Sequence, residues 1–320
     1  MAQLNMVQAI NLALKEEMGR DKEVVVLGED VGMDGGVFRI TEGLLAAFGP
    51  ERVMDTPLAE SGIIGTAIGM AVYGLKPIAE VQFFGFIYPA VNQIANHASR
   101  IRSRSRGRYT CPLVIRTPYG AGIKAPEHHS ESCEAIFCHM PGIKVVMPAS
   151  PYYAKGLLLS AVRDPDPVLF LESTRLYRLM REDVPEGDYT VPLEKARIVQ
   201  EGQEVTVISW GYMLQRSLQA VEGFDAEVID LMTINPFDEE TIIASVKKTG
   251  RAVIVSESPK VGGFASEIAA FIAEEAMLSL KAPIVRVTSY DVVLPLPKLE
   301  DRYMPTVEKI RKGIGEVLKY

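Results

Sequence analysis

Three of the four histidines lie between positions 128 and 139: His128, His129 and His139. The adjacent pair opens a polar stretch, HHSES (128–132), after the Gly- and Pro-containing loop TPYGAGIKAPE. Imidazole changes charge near neutral pH, so one of the pair is a candidate general acid or base. The plain alternative is a histidine of a surface loop. A zinc site is disfavoured, because adjacent histidines point apart and no set of acids and histidines has ligand spacing. The second candidate is Glu60 in DTPLAESGIIGTAIGMAVYG, the one charged residue between Asp55 and Lys76. A helix N-terminus there favours a carboxylate, and apolar surroundings favour the neutral acid. On pattern alone Glu60 reads first as an ordinary helix-start glutamate. Gly65 and Gly69 give that helix a small-x-x-x-small face, suited to a tight helix contact within or between subunits. The third segment, VQFFGFIYPAVNQIAN (81–96), carries Phe83, Phe84, Phe86 and Tyr88 and no charge. It reads as a core strand running into a buried helix, or as an apolar platform for a cofactor ring made by Phe83, Phe86 or Tyr88.

Other signals are weaker. The basic run RIRSRSRGR (100–108) fits a solvated surface, a phosphate or an acidic partner. The turn KVGGFA (260–265) fits close strand–helix packing or an anion. Dinucleotide, P-loop, zinc-protease and serine-elbow signatures are all missing.

The scaffold that must position these residues reads as α/β. Short β-branched runs at 24–27, 52–55, 78–82, 113–117, 144–147 and 168–172 alternate with helical stretches at 4–18, 43–48, 62–73, 89–102 and 153–162. Runs such as VVVL are apolar at every position, as in a parallel sheet covered by helices on both faces. The histidine loop follows the run 113–117, and ligand sites in such sheets gather at the strands' carboxyl ends. The charged, Pro-containing stretch 181–195 reads as a linker. A second α/β series follows, with strands at 205–209, 227–231, 252–256 and 284–287 and helices at 215–221, 239–248, 264–275 and 306–318.

Composition bounds the function. With 34 Lys and Arg against 41 Asp and Glu, the net charge is −7. That argues against sequence-independent binding to nucleic acid or to an anionic membrane. Three cysteines, Cys111, Cys133 and Cys138, with no C-x-x-C, point to neither a disulfide framework nor a zinc ribbon. The longest strongly apolar uncharged run, 61–75, falls short of the ~20 residues that span a bilayer. The N-terminus has no signal-peptide pattern, so a cytoplasmic protein is expected. Area scaling predicts a folded surface of ~13,000 Å², enough for two domains. A mean hydropathy of +0.10 hints at apolar surface covered by a partner.

LGEDVG (27–32), DTPLAESGIIGTAIGMA (55–71), LKPIAEVQF (75–83), HHSESCEAIFCHMPGIKVVMP (128–148), SPYYAKGLLLSAVRDPDPVLFLE (150–172) and SPKVGGFASEI (258–268) stand in order along the chain. Together they resemble the beta subunit of the decarboxylating dehydrogenase of 2-oxo acid dehydrogenase complexes. The resemblance implies a thiamin-diphosphate-binding, pyrimidine-type transketolase domain at 1–180 and a transketolase C-terminal-type domain at 196–320. The chain lacks the GDG…NN motif that binds Mg²⁺ and diphosphate in this family. The absence implies an alpha subunit that holds both, in an α₂β₂ heterotetramer with thiamin diphosphate across the interface.

Residue by residue, the resemblance gives Glu60 a bond to a pyrimidine ring nitrogen and gives Phe86 the packing on that ring. It picks His129, ten residues before His139 of the H-x-P-G turn, as the active-site histidine that orients or protonates during acyl transfer. It places Glu29 near the cofactor. It matches Leu113, Ala161, Val162, Asp164 and Asp166 to a potassium site built largely of carbonyls, with Asp166 where relatives often carry Asn. The implied reaction decarboxylates a 2-oxo acid and reductively acylates the lipoyl domain of a dihydrolipoyl acyltransferase core. The expected order of substrates is branched-chain 2-oxo acids, then pyruvate, then acetoin. A non-catalytic scaffold that docks the acyltransferase is the reading from another class. A self-sufficient transketolase-like enzyme is a third, and the missing diphosphate motif argues against it.

Overall fold

The computed structural model describes residues 2–320, with an accessible surface of 13,410 Å². Six parallel strands form the first sheet, in the order Val53–Asp55, Val24–Gly28, Lys76–Glu80, Val114–Tyr119, Val168–Ser173, Lys144–Val146. A seventh strand, Thr233–Asn235, comes from the C-terminal half and pairs antiparallel on the Lys144–Val146 edge. The second sheet runs Val285–Ser289, Ala252–Pro259, Val205–Ser209, Ala226–Asp230, Arg197–Gln200, with only the last strand antiparallel.

Every residue of Val24–Gly28, Val114–Tyr119 and Val168–Ser173 is buried, as parallel strands covered on both faces require. One apolar layer carries Ile10 and Leu14 from the helix Met6–Arg20, Leu157 and Leu158 from the helix Pro151–Arg163, and Ile310 and Ile314 near the C-terminus. The opposite layer carries Ile63, Ile64 and Ile68 from the helix Glu60–Tyr73 and Ile268 and Ile272 from the helix Ala265–Ala276. Each layer contains residues of both sheets, so the two halves share their cores. The first helix starts at a capping box, in which Asn5 accepts from the Gln8 N–H and the Gln8 side chain accepts from the Asn5 N–H.

Two expectations change. The helix expected over 89–102 is broken into a 3-10 turn, Phe84–Ala90, and short pieces Val91–Asn96, Ala98–Arg100 and Ile101–Arg104. Pro89 lies inside the turn and has no N–H to give a helix, and His97 leaves helical backbone altogether. The stretch 181–195 is not free linker throughout, because Glu182–Val184 pairs antiparallel with Ala2–Leu4. Among the described residues no helix is long and apolar enough to cross a membrane.

Candidate active site

The strand Val24–Gly28 ends where the polar loop 29–36 begins, and that loop is tied down within its own half of the molecule. Asp55, the last residue of the neighbouring strand, accepts the N–H of Gly32 at 2.6 Å and of Met33 at 3.0 Å. Gln82 donates to Asp30 at 3.0 Å, and the Gly36 N–H donates to the Asp30 carbonyl at 2.8 Å. A Cβ at Gly32 would lie 2.8 Å from the Asp55 carboxylate, so this clasp closes only on glycine. Held in this loop, Glu29 is half-buried, and its Oε1 is buried with no hydrogen-bond partner. Glu60 is the first residue of its helix and is buried. Burial, then the charges of Glu60 and Asp30, push the Glu29 carboxyl above its ordinary value. Two neighbouring acids, one with an orphaned oxygen, ask for a hydrogen-bond donor that the described residues do not supply.

The aromatic turn forms the next wall. The helix Glu60–Tyr73 packs on Phe84–Ala90, and the Ser61 hydroxyl donates to the Pro89 carbonyl, tying the start of the helix to the turn. Phe83 and Phe86 lie edge-to-face at 5.5 Å between ring centroids. The His129 ring packs edge-on against both, at 4.5 Å from Phe83 and 5.1 Å from Phe86. His129 is half-buried and its Nδ1 has no partner, whereas its neighbour His128 is exposed. The turn reaches the histidine loop at Gly85, where a Cβ would stand 2.3 Å from the His128 carbonyl oxygen. Tyr88 points elsewhere: it is exposed, and its hydroxyl meets the Glu131 carboxylate.

Beneath these walls lies a buried ion cluster. Arg116 pairs with both oxygens of Glu172, at 2.6 and 2.8 Å, and with Glu80 at 2.8 Å, while the Tyr177 hydroxyl donates to Glu172 at 2.8 Å. Burial pushes the Glu80 carboxyl up, and the Arg116 charge opposes it. Tyr177 packs on Phe38 and Phe38 on Phe83, so stacked rings join this floor to the His129 wall.

The five residues matched to a potassium site meet around the turn that follows the helix Pro151–Arg163. The Leu113 carbonyl accepts from Val168 N–H at 2.9 Å and the Ala161 carbonyl from Asp164 N–H at 3.3 Å. Val162 is buried in the last turn of that helix. The Asp164 carboxylate takes the Asp166 N–H and Lys144, and Asp166 pairs with Arg102 of the basic run at 2.6 Å. With both carboxylates engaged, carbonyl lone pairs are what this turn offers a cation. In the Gly-rich turn, a Cβ at Gly263 would strike the Pro259 carbonyl at 2.4 Å, and Asp291 takes the Val261 N–H at 2.8 Å. Close packing and a resident carboxylate both favour the packing reading there.

Comparison with known proteins decides the family. Residues 2–180 match the transketolase pyrimidine-binding domain and residues 194–310 the transketolase C-terminal domain. Proteins named pyruvate dehydrogenase E1 component subunit beta match across the whole chain. The one from Staphylococcus epidermidis is 50% identical over 100% of both chains. That from Bacillus subtilis is 48% identical over 100% of both, and that from Acholeplasma laidlawii 48% over 100% of this chain and 99% of the relative. The chain belongs to the E1 beta-subunit family of 2-oxo acid dehydrogenases. As such a beta subunit it is a component of a thiamin-diphosphate-dependent 2-oxo acid dehydrogenase and works with an alpha subunit in a multienzyme complex. A solved chain described as a split-gene transketolase, inactive beta4 tetramer, covers 99% of both chains with a TM-score of 0.81 at 23% identity, which speaks for the fold alone.

Several residues that shape the beta subunit's site were invisible as sequence candidates. Asp55 stood at the edge of the Glu60 segment without a role, and Gly85 stood unnoticed between two phenylalanines. Arg116, a lone cation in the apolar run 113–117, was a signal that could have exposed the buried cluster.

Proposed function

We propose that this beta subunit, with an alpha subunit in an α₂β₂ assembly, decarboxylates pyruvate and passes the acetyl group to the lipoyl domain of a dihydrolipoyl acyltransferase. Pyruvate replaces the branched-chain acids expected first, because the relatives that match end to end carry pyruvate in their names. The observation that carries the site is the pair Glu60 and Glu29, with its unpartnered buried oxygen, beside the Phe83–Phe86–His129 wall. Thiamin diphosphate supplies the electron sink for decarboxylation when bound, its diphosphate and Mg²⁺ held by the alpha subunit. In this reading Glu60 hydrogen-bonds a pyrimidine ring nitrogen and fixes where the ring's proton sits. Phe86 packs on the ring's face, and Glu29 keeps the field around it acidic. Phe83, buried behind His129, holds the imidazole toward the site, and His129 orients or protonates during transfer to lipoamide. Leu113, Ala161, Val162, Asp164 and Asp166 hold a potassium ion through carbonyl oxygens, which fixes the turn after the helix Pro151–Arg163.

Reconstituting the chain with its alpha subunit and assaying pyruvate, 3-methyl-2-oxobutanoate, 4-methyl-2-oxopentanoate and acetoin tests this. Pyruvate should give the highest kcat/KM. A branched-chain acid in first place would overturn the substrate, and turnover by the chain alone would overturn the shared site. An inactive pair that still docks the acyltransferase would return the scaffold reading.

A further inference from the structure

The loop that carries His128 and His129 has a built seat, and half of it belongs to the C-terminal domain. The loop leaves the strand Val114–Tyr119 at Gly120, and the Gly120 N–H closes its base by donating to the Glu131 carbonyl at 3.0 Å. Ala121 is then gripped through both of its peptide groups. Its N–H donates to Glu257 Oε1 at 2.7 Å, and its carbonyl accepts from Arg175 Nε at 3.0 Å. The Thr174 hydroxyl adds a bond to the Gly120 carbonyl at 3.1 Å. Glu257 stands in the strand Ala252–Pro259 of the second sheet, and Arg175 follows the strand Val168–Ser173 of the first. The flanking glycines are shaped to receive them. A Cβ on Gly120, whose φ is +83°, would stand 2.6 Å from Glu257 Oε1, and one on Gly122 would stand 2.5 Å from Arg175 Cγ.

We propose that Glu257 and Arg175 are positioning residues for His129, gripping Ala121 across the domain boundary so that the imidazole is presented at the correct place for acyl transfer. The inference rests on the assignment of His129 to that transfer. A hydrogen bond confined to stability would be one of many, but this one sits at the root of a loop whose ends are already pinned together. Nine residues separate Ala121 from Glu131, and within them His129 touches the aromatic wall, so a shift at Ala121 is passed along a short, closed span. The grip is also well protected: Glu257 is 5% exposed, and Arg175 is steadied from behind by Glu300 at 2.8 Å and Asp301 at 2.9 Å. Glu134, which opens the helix just after the loop, is buried in the same acidic neighbourhood.

The test uses the reconstituted α₂β₂ holoenzyme and reads two reactions on each variant. Decarboxylation is followed with ferricyanide as the electron acceptor, and reductive acylation with the lipoylated acyltransferase. Glu257→Ala should lower kcat for acylation by about tenfold while decarboxylation stays within about twofold. Glu257→Asp, which keeps the carboxyl group but withdraws it from the Ala121 N–H, should give the same split more mildly, and it carries the test should the alanine variant fail to assemble. Glu257→Gln keeps a carbonyl oxygen for that N–H and should restore acylation to within about threefold of wild type. Equal loss of both reactions, or a glutamine variant as impaired as alanine, would overturn the proposal. His129→Ala, run alongside, separates the two ideas. If it fails to split the reactions, the assignment of His129 has failed; if it splits them and Glu257→Ala and Glu257→Asp do not, the grip alone has failed.

Discussion

Two loops at the carboxyl ends of parallel strands make the site, and they are restrained in opposite ways. The Glu29 loop is clasped by Asp55 and Gln82, both from its own sheet or the residues just after it. The His129 loop is clasped by Arg175 and by Glu257, a residue of the other domain. The Glu29–Glu60 geometry is therefore a property of one domain, and the His129 geometry a property of two. On the proposed assignment, the group that addresses the coenzyme is held within one domain, while the group that serves the last step depends on how the two domains are assembled. This contrast is open to direct attack.

The largest effect should come from Glu60→Gln. On the proposed assignment its pyrimidine contact precedes both half-reactions, so decarboxylation and acylation should fall together, by about a hundredfold or more, with the circular dichroism spectrum unchanged. Near-normal rates would remove Glu60 from the mechanism, and an unequal loss would break the division of labour between the loops. Next comes His129→Ala, expected to lower acylation about tenfold or more with a smaller effect on decarboxylation. His128 is exposed and outside the aromatic wall, so His128→Ala should leave acylation close to wild type. Equal effects of the two substitutions would undo the choice between them.

Asp55→Ala should do less and do it evenly. It strips the acceptor from two backbone N–H groups, at a cost of about 1–3 kcal/mol if they stay unsatisfied. The loosened Glu29 loop should raise the thiamin diphosphate concentration needed for half activity severalfold, while the ratio of acylation to decarboxylation stays put. A changed ratio would mean that the two loops are coupled after all.

How much of this was legible beforehand differs between fold and site. Strands such as Val24–Gly28 announce themselves, because a short, β-branched run that is apolar at every position suits a sheet covered on both faces. The short strands Arg197–Gln200 and Thr233–Asn235 do not, since they mix polar and apolar residues and exist through their partners. The break in the helix expected over 89–102 falls at His97, eight residues after Pro89, and no proline or glycine in the local pattern marks it. Among the site residues, local pattern left Glu60 as a possible helix start and could not choose between His128 and His129. Resemblance made those choices, and exposure distinguishes the two histidines. The grip of Glu257 on Ala121 spans 136 positions, and no periodicity carries information over that distance.

The smallest effect is a pH dependence that the Glu29 loop's clasp lacks. Glu257 is raised from the ordinary 4.5 to about 7, first by burial and further by the charges of Glu134 and Glu300, against the pull of the Ala121 N–H and Arg175. Tyr119 and Tyr303 face the same group and stay neutral through this range, both pushed up chiefly by burial. The folded protein therefore keeps a proton on Glu257 that the unfolded chain releases between 4.5 and about 7. A raised folded value contributes stability that is complete below the unfolded value and is lost as pH climbs through the folded one. Glu29, Glu80, Glu134 and Asp230 are also raised, so the total slope belongs to several groups. The informative quantity is the difference between wild type and Glu257→Gln, measured as thermal midpoints from about pH 5 to about pH 8. The variant should gain on wild type as pH rises, since its amide never has to shed a proton inside the domain boundary. Parallel curves would mean that Glu257 titrates no differently folded than unfolded, and that the cluster around Arg175 is solvated more than its burial implies.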